Sequence, residues 1–439
     1  MSNRFVFSGA CTLLACMASL VGSQSVRSDT IVRMAHAPQH AGIARLVPEI
    51  TIGGPDATDD KYTFDQIHAL VAQRDGTIWI SDGRGLAGRA LVRQYDSTGK
   101  FLRHIGRRGQ GPGEWQNPDE LAPLPDGRVL LRDAVVPNPI TIYKADGAYD
   151  TTLTFRQTVF NAYADVNGII WIRLSLGGGM AMGGGGSIAY VRMRSNGKVI
   201  DTIVPPAIEK PPARNDVHVT RTNAPATMVA APFQPSAYYA WSTGGYLAGL
   251  VTTRYAVNLL MPPVNRAPGA GGTPAIWRPG DPVTSIRREA PPVVVGDDER
   301  RDRYDNMVAQ VRSLDAASHT PIPEVAHTKL PISRVVFDYD ARVWVQVAAP
   351  SEKFTPPEPP APRPGQRAPV PPLRWREPTV YDVFERSGAY VGQVRMPVTS
   401  SMRPRYIDIW VARGDHIWIV ERDNDGVESV HRYRIEWDK

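Results

Sequence analysis

One pattern constrains this chain more than any other. A tight turn, usually Asp-Gly or Asn-Gly, leads at once into a short apolar strand that often carries a central tryptophan. Asp75-Gly76 enters Thr77-Ile78-Trp79-Ile80, Asp126-Gly127 enters Arg128-Val129-Leu130-Leu131, and Asn167-Gly168 enters Ile169-Ile170-Trp171-Ile172. Later copies are Asp340-Ala341 before Val343-Trp344-Val345, and Gly414-Asp415 before Ile417-Trp418-Ile419; Gly244-Gly245 before Tyr246-Leu247-Ala248 is weaker. Such dipeptides supply the positive φ that a hairpin turn demands. Apolar stretches at 67–71 and 335–337 stand upstream, so each copy marks a β-hairpin.

A second hairpin follows most of the first ones, turning at Gly99, Gly147, Gly197 and Gly388. The first three of these turns lie 48 and 50 residues apart. Two hairpins per unit of this length make a four-stranded antiparallel sheet, the blade of a β-propeller. The expected fold is all-β: a six-bladed propeller with blades near 62–107, 117–157, 158–205, 233–293, 330–397 and 403–437. The last blade is short of a strand, and Leu46–Ile52 is placed to supply it, joining the chain ends and removing exposed edges. The propeller domain spans 45–437, after a leader at 1–23 and a linker at 24–44. Insertions fall at 205–235, 262–282, 294–328 and 350–378, the last with eleven prolines. Proline at that density enforces extended or irregular chain. One insertion holds a helix from Asp297 to Val311. It opens on acids, as a helix N-terminus favours, and sets Tyr304, Met307, Val308 and Val311 on one face toward the propeller. Trp79, Trp171, Trp344 and Trp418 read as packing between blades.

The stretch Gly106-Arg107-Arg108-Gly109-Gln110-Gly111-Pro112-Gly113-Glu114-Trp115-Gln116-Asn117-Pro118 has the look of a phosphate cradle. A cradle needs a helix N-terminus after its glycines. Here Pro118 stands where a helix would begin its second turn, and another strand follows. The stretch is therefore read as a joint between blades, its glycines shaping the path and Trp115 packing into the joint. Gly109–Trp115 with Asn117-Pro118 resembles the linker of NHL-repeat propellers. Residues 64–149, and the entry Lys329-Leu330-Pro331-Ile332 to the Trp344 strand, resemble secreted bacterial six-bladed β-propellers of the NHL/TolB-like kind. The resemblance implies a fold and export, and assigns no activity.

The amino terminus has Arg4 before an apolar run from Phe5 to Val21 and then Gly22-Ser23, the layout of a secretory signal peptide. Leu13-Leu14-Ala15-Cys16 also resembles a bacterial lipobox, which would anchor Cys16 to lipid. The only cysteines are Cys11 and Cys16, both in this leader, so the exported chain has no thiol chemistry. The expected location is periplasmic or extracellular, with no membrane span after leader removal. Fifty basic and 44 acidic residues leave a net charge of +6, and no basic run interleaves with aromatics. That argues against nucleic acid as a partner.

Charged groups recur where the Trp-bearing strands end. They are Asp82, Arg132 with Asp133, Arg173, Arg254 with Tyr255, and Arg422 with Asp423. Converging on one rim, the arginines would hold an anion or a sugar, because guanidinium binds carboxylate or phosphate bidentately. The competing reading is ion pairing between blades, with no ligand. The expected function is a monomeric binding or scaffold protein for a small molecule, glycan or protein, with no catalytic residue and no cofactor. The alternative is a hydrolase or lyase holding Ca²⁺ in the channel through Asp82, Asp133, Asp423 and Glu421, since oxygen ligands suit that ion.

Overall fold

In the computed structural model, the described residues are 30–34, 37–83, 90–136, 138–155, 158–176, 187–206, 208–221, 224–262, 275–276, 283–315, 319–356, 370–398, 410–423 and 425–438. The leader with Cys11 and Cys16 lies outside them, as do residues 357–369 of the proline-rich insertion. The chain is mostly β, built from four-stranded antiparallel units that follow one another along the sequence. They are designated A (67–104), B (118–153), C (159–204), D (237–287), E (332–395) and F (410–436).

Each unit grows from its paired turns. In B, Gly127 and Gly147 close the two hairpins, and each N–H donates back to the residue that opens its turn, Leu124 or Lys144. Gly147 adopts φ +82, and a Cβ there would run into Ile105 of the preceding unit. The turn glycine is thus needed for conformation and for packing between neighbours.

F has three strands of its own. Its fourth is Ile43–Gly53, antiparallel to Glu428–Glu436, and the start of that strand also runs parallel to the outer edge of E. Amino- and carboxyl-terminal chain therefore close on each other. Thr30–Met34, in the expected linker, adds a parallel strand outside D.

Successive units stack face to face through apolar clusters. Trp79, Trp171 and Trp344 are fully buried, and Trp418 nearly so. The innermost strand of A packs against those of B and F, that of B against C, and that of D against E. The Val166 N–H donates to Thr243 O at 2.8 Å between C and D, and the Tyr339 N–H donates to Ala412 O at 2.9 Å between E and F. The arrangement is that of a β-propeller.

The insertions are more ordered than their composition suggests. Within 205–235 lies a hairpin, Val217–Arg221 with Ala224–Val229. Helix α1, Asp297–Leu314, packs Val311 on this hairpin and Met307 on Ala231 and Val325. Tyr304, expected in its apolar stripe, is 38% exposed. The helix lies on an inserted subdomain that the sequence reading had as loop, which redraws its apolar face. A two-residue ladder, Glu352-Lys353 with Trp375-Arg376, closes the base of the proline-rich insertion.

The glycine-rich joint carries its own anion. Glu114 accepts the Gly111 N–H at 2.8 Å and Arg107 Nε at 2.7 Å, so a side chain of the loop itself fills the cradle. Gly113 sits at φ +74, and its carbonyl accepts the Tyr143 hydroxyl at 3.0 Å. Trp115 is buried and donates Nε1 to Ile105 O at 3.1 Å.

Candidate functional site

The strand nearest the axis is not the Trp-bearing strand. In every unit it is the strand before the Asp-Gly-type turn, because that strand stands at the sheet edge that meets the neighbouring units. The expected rim residues therefore belong to second strands and their loops, one strand farther out.

Most of them are engaged inside the scaffold. Asp82 accepts the N–H groups of Asp65 and Gln66 at 2.9 and 2.8 Å and pairs with buried Arg93 at 2.8 Å. Asp133 does the same for Gln116 and Asn117, at 2.6 and 2.9 Å. Each carboxylate ties the segment entering a unit to that unit's second strand. Arg132 is buried and donates to Asp119 at 2.6 Å, Glu120 at 3.0 Å and Val159 O at 3.3 Å. The Tyr255 hydroxyl donates to Asp382 at 2.6 Å. Asp382, fully buried, also accepts Tyr390, Gln393 and Arg288, stapling D to E. Arg254 pairs with Glu209 at the surface. Arg422 and Asp423 close their own turn, Arg422 on Gly426 O and Asp423 on the Asp425 and Val427 N–H groups. The structure does not bring these eight to one rim.

Arg173 is the exception. It lines an open cavity of about 420 Å³ between the innermost strands of B, C, D, E and F, the axial chamber. One wall is aromatic: Tyr163 and Trp241 stack with centroids 4.6 Å apart and planes at 7°, and Tyr238, Tyr239 and Trp410 complete it. Burial pushes the Tyr238 and Tyr239 hydroxyls up to about 12, so both stay neutral. Two cations line the same chamber, Arg173 and Arg334. Arg173 reaches Asn161 Oδ1 at 3.1 Å, while its buried Nε–H has no hydrogen-bond partner. The buried Trp241 Nε1–H is likewise unpaired. A buried donor without an acceptor costs about 1–3 kcal/mol.

Behind Asn161 lies a polar chain. Asn161 Nδ2 donates to Glu120 at 3.1 Å, and Glu120 meets Arg132, which also holds Asp119. Burial raises the Asp119 carboxyl to about 6 against the pull of Arg132, and burial raises Glu120 as well. Sequence reasoning missed Asn161, Tyr163, Tyr238, Tyr239, Trp241 and Arg334. The signal was there: all lie on the strands upstream of the turns, the first strand of each unit.

Two further cavities adjoin this chamber. One of about 280 Å³ opens on the turn side and shares Pro123, Ala164, Thr243 and Tyr339 with it. The other, of about 700 Å³, lies toward α1 and shares Arg334. Among the described residues, no cluster of three His, Cys, Asp or Glu side chains is placed to hold a metal, and no helix is long and apolar enough to cross a membrane.

No family model matches the chain, and no curated protein matches it in sequence. It is similar to three solved structures, each 10% identical. One is a Bacteroides fragilis protein described as exported, with TM-score 0.43 over 93% of this chain and 99% of that one. Another is a luciferin-regenerating enzyme, with TM-score 0.37 over 90% and 97%. The third is a protein described as a gluconolactonase, with TM-score 0.35 over 90% and 100%.

Proposed function

We propose that this chain is an exported, six-bladed β-propeller of the NHL/TolB-like kind, whose axial chamber binds a small cyclic organic acid. Six four-stranded units in sequence, the last completed by Ile43–Gly53, support the blade count. The leader supports export, and Cys16 offers a lipid anchor.

One observation carries the ligand class. Two buried N–H donors, on Arg173 and Trp241, lack acceptors in a chamber walled by stacked aromatic rings. A planar or sugar ring would lie on the Tyr163–Trp241 pair, and its carboxylate would take the donors and the charge of Arg173. Guanidinium suits carboxylate in geometry and charge. A chamber of this size admits one small ligand.

Calorimetric titration of the purified protein tests this with benzoate and glucuronate against benzyl alcohol and glucose. The acids bind in preference to the neutral partners, and Arg173→Gln abolishes that preference. Equal binding of acid and neutral partner in both series, or an unaltered R173Q protein, would overturn the reading. The calcium-dependent enzyme has less support. Asp82 and Asp133 already hold backbone N–H groups, and Asp423 is engaged within its own turn. Melts with EDTA and with added Ca²⁺ separate the two readings: a large calcium-dependent rise in melting temperature favours the enzyme.

A further inference from the structure

The cavity of about 700 Å³ beneath α1 differs in chemistry from the axial chamber. Four basic side chains line it, Arg303, Lys329, Arg334 and Arg376, against a single acid, Glu377. Glu377 is committed to Lys329 Nζ at 3.2 Å and to the Ala349 N–H at 2.8 Å. Arg303 has Glu299 behind it at 2.7 Å, outside the lining. Beyond those two pairs, Arg376 adds a further positive charge to the lining.

The same wall is aromatic. Arg303 lies 4.9 Å over Phe233, and Arg376 lies 4.9 Å over Phe354, with Trp375 alongside. The buried Arg376 Nε–H has no hydrogen-bond partner. Phe233 is held at φ +55, a conformation a bulky residue adopts only when its surroundings impose it. Strain of this kind gathers at ligand sites.

We propose that this cavity is a second binding site, for an amphipathic organic anion: an apolar or aryl body bearing one carboxylate, sulfonate or phosphate. The rings and the stems of the basic side chains take the body, and Arg376 takes the head group.

The test uses the full chain and 8-anilinonaphthalene-1-sulfonate, with the uncharged N-phenyl-1-naphthylamine as its counterpart. The sulfonate binds saturably at one site. Arg376→Met, which removes a donor that has no partner, weakens it tenfold or more, and R173Q in the axial chamber leaves it unchanged. The neutral compound binds more weakly and ignores R376M. The inference falls if R376M binds the sulfonate like the parent protein, if the neutral compound binds as tightly, or if R173Q and not R376M governs affinity. Should R376M not fold, the parent protein decides. Raising NaCl must weaken the sulfonate and spare the neutral compound, and an equal response of both overturns the proposal.

Discussion

Two regions of this propeller use charged side chains in opposite ways. On the turn side of E, Asp338 is enclosed and fully bonded. It accepts Trp344 Nε1 at 3.0 Å, Arg342 Nε at 2.6 Å, and the N–H groups of Asp340 and Arg342. Asp165 makes the same latch in C, with Trp171 Nε1 at 3.0 Å. On the axial wall of B and C, by contrast, Asp119 Oδ1 and Arg173 Nε are buried with no hydrogen-bond partner. The first region has finished its hydrogen bonding within the fold. The second has polar capacity left over, and unsatisfied capacity is what a ligand can use. Burial alone does not distinguish scaffold from site.

The sharpest way to break this comparison is to remove an acid from the finished region. Asp338→Ala leaves Arg342 without its partner and Trp344 Nε1 without its acceptor, and should cost about 3–5 kcal/mol in urea unfolding. A loss below ~1 kcal/mol would show that the latch is ornamental.

Next comes the unfinished wall. In the folded protein Asp119 holds its proton up to pH about 6, against 3.8 for the ordinary carboxyl. The folded state therefore binds the proton more tightly than the unfolded chain does. This group's contribution to stability is best at low pH and declines as pH rises from about 4 to about 6, on the order of 1–2 kcal/mol. Asp119→Asn should lack that decline in unfolding titrations across the window; a parallel profile would refute the assignment.

Tryptophans sharpen the contrast further. Trp171 and Trp79 are both fully buried, yet Trp79 Nε1 has no hydrogen-bond partner whereas Trp171 Nε1 has Asp165. Trp171→Phe should exceed Trp79→Phe in cost by about 1–2 kcal/mol, because only the former strands a carboxylate oxygen. Equal costs would mean that ring volume alone matters. A smaller effect is expected at Ala341, which holds φ +62 in the turn beside Asp338. Ala341→Gly should stabilise by about 1 kcal/mol, seen as a higher melting temperature. Smallest is Arg173→Gln. It should change stability by less than ~1 kcal/mol while removing the preference for acids. A large unfolding penalty there would move Arg173 into the scaffold.

Much of the architecture was legible because its signals are local. The Asp-Gly and Ser-Asn-Gly turns, with alternating strands around them, announced hairpins at Gly76, Gly127, Gly147 and Gly197, and all four adopt positive φ. The closing strand at 43–53 could be read because the last unit was visibly incomplete. The inserted hairpin at 217–229 was hidden because its alternation, Val217-His218-Val219-Thr220, is short and stands among prolines from Pro205 to Pro235. Tyr304 was misjudged because which helix face is apolar depends on what covers it. The candidate site was legible only at Arg173. Spacing places a charge at the end of a strand, yet gives neither that strand's rank from the axis nor the partner awaiting it.

By itself, then, the chain's order of residues determined the hairpins, their pairing into four-stranded units and the means of closure, since turns and strand alternation are settled within a few residues. Tertiary structure alone decided which charges are satisfied and which face an unfilled chamber. Arg132 and Arg173 occupy equivalent places along their strands, opposite Glu120 and Asn161. Glu120, Asp119 and the Val159 carbonyl take the donors of the first, whereas a donor of the second stays buried and unpaired. The physical reason is that hydrogen-bond completion depends on groups brought together from distant segments, and such proximity exists only once the sheets have packed around their axis.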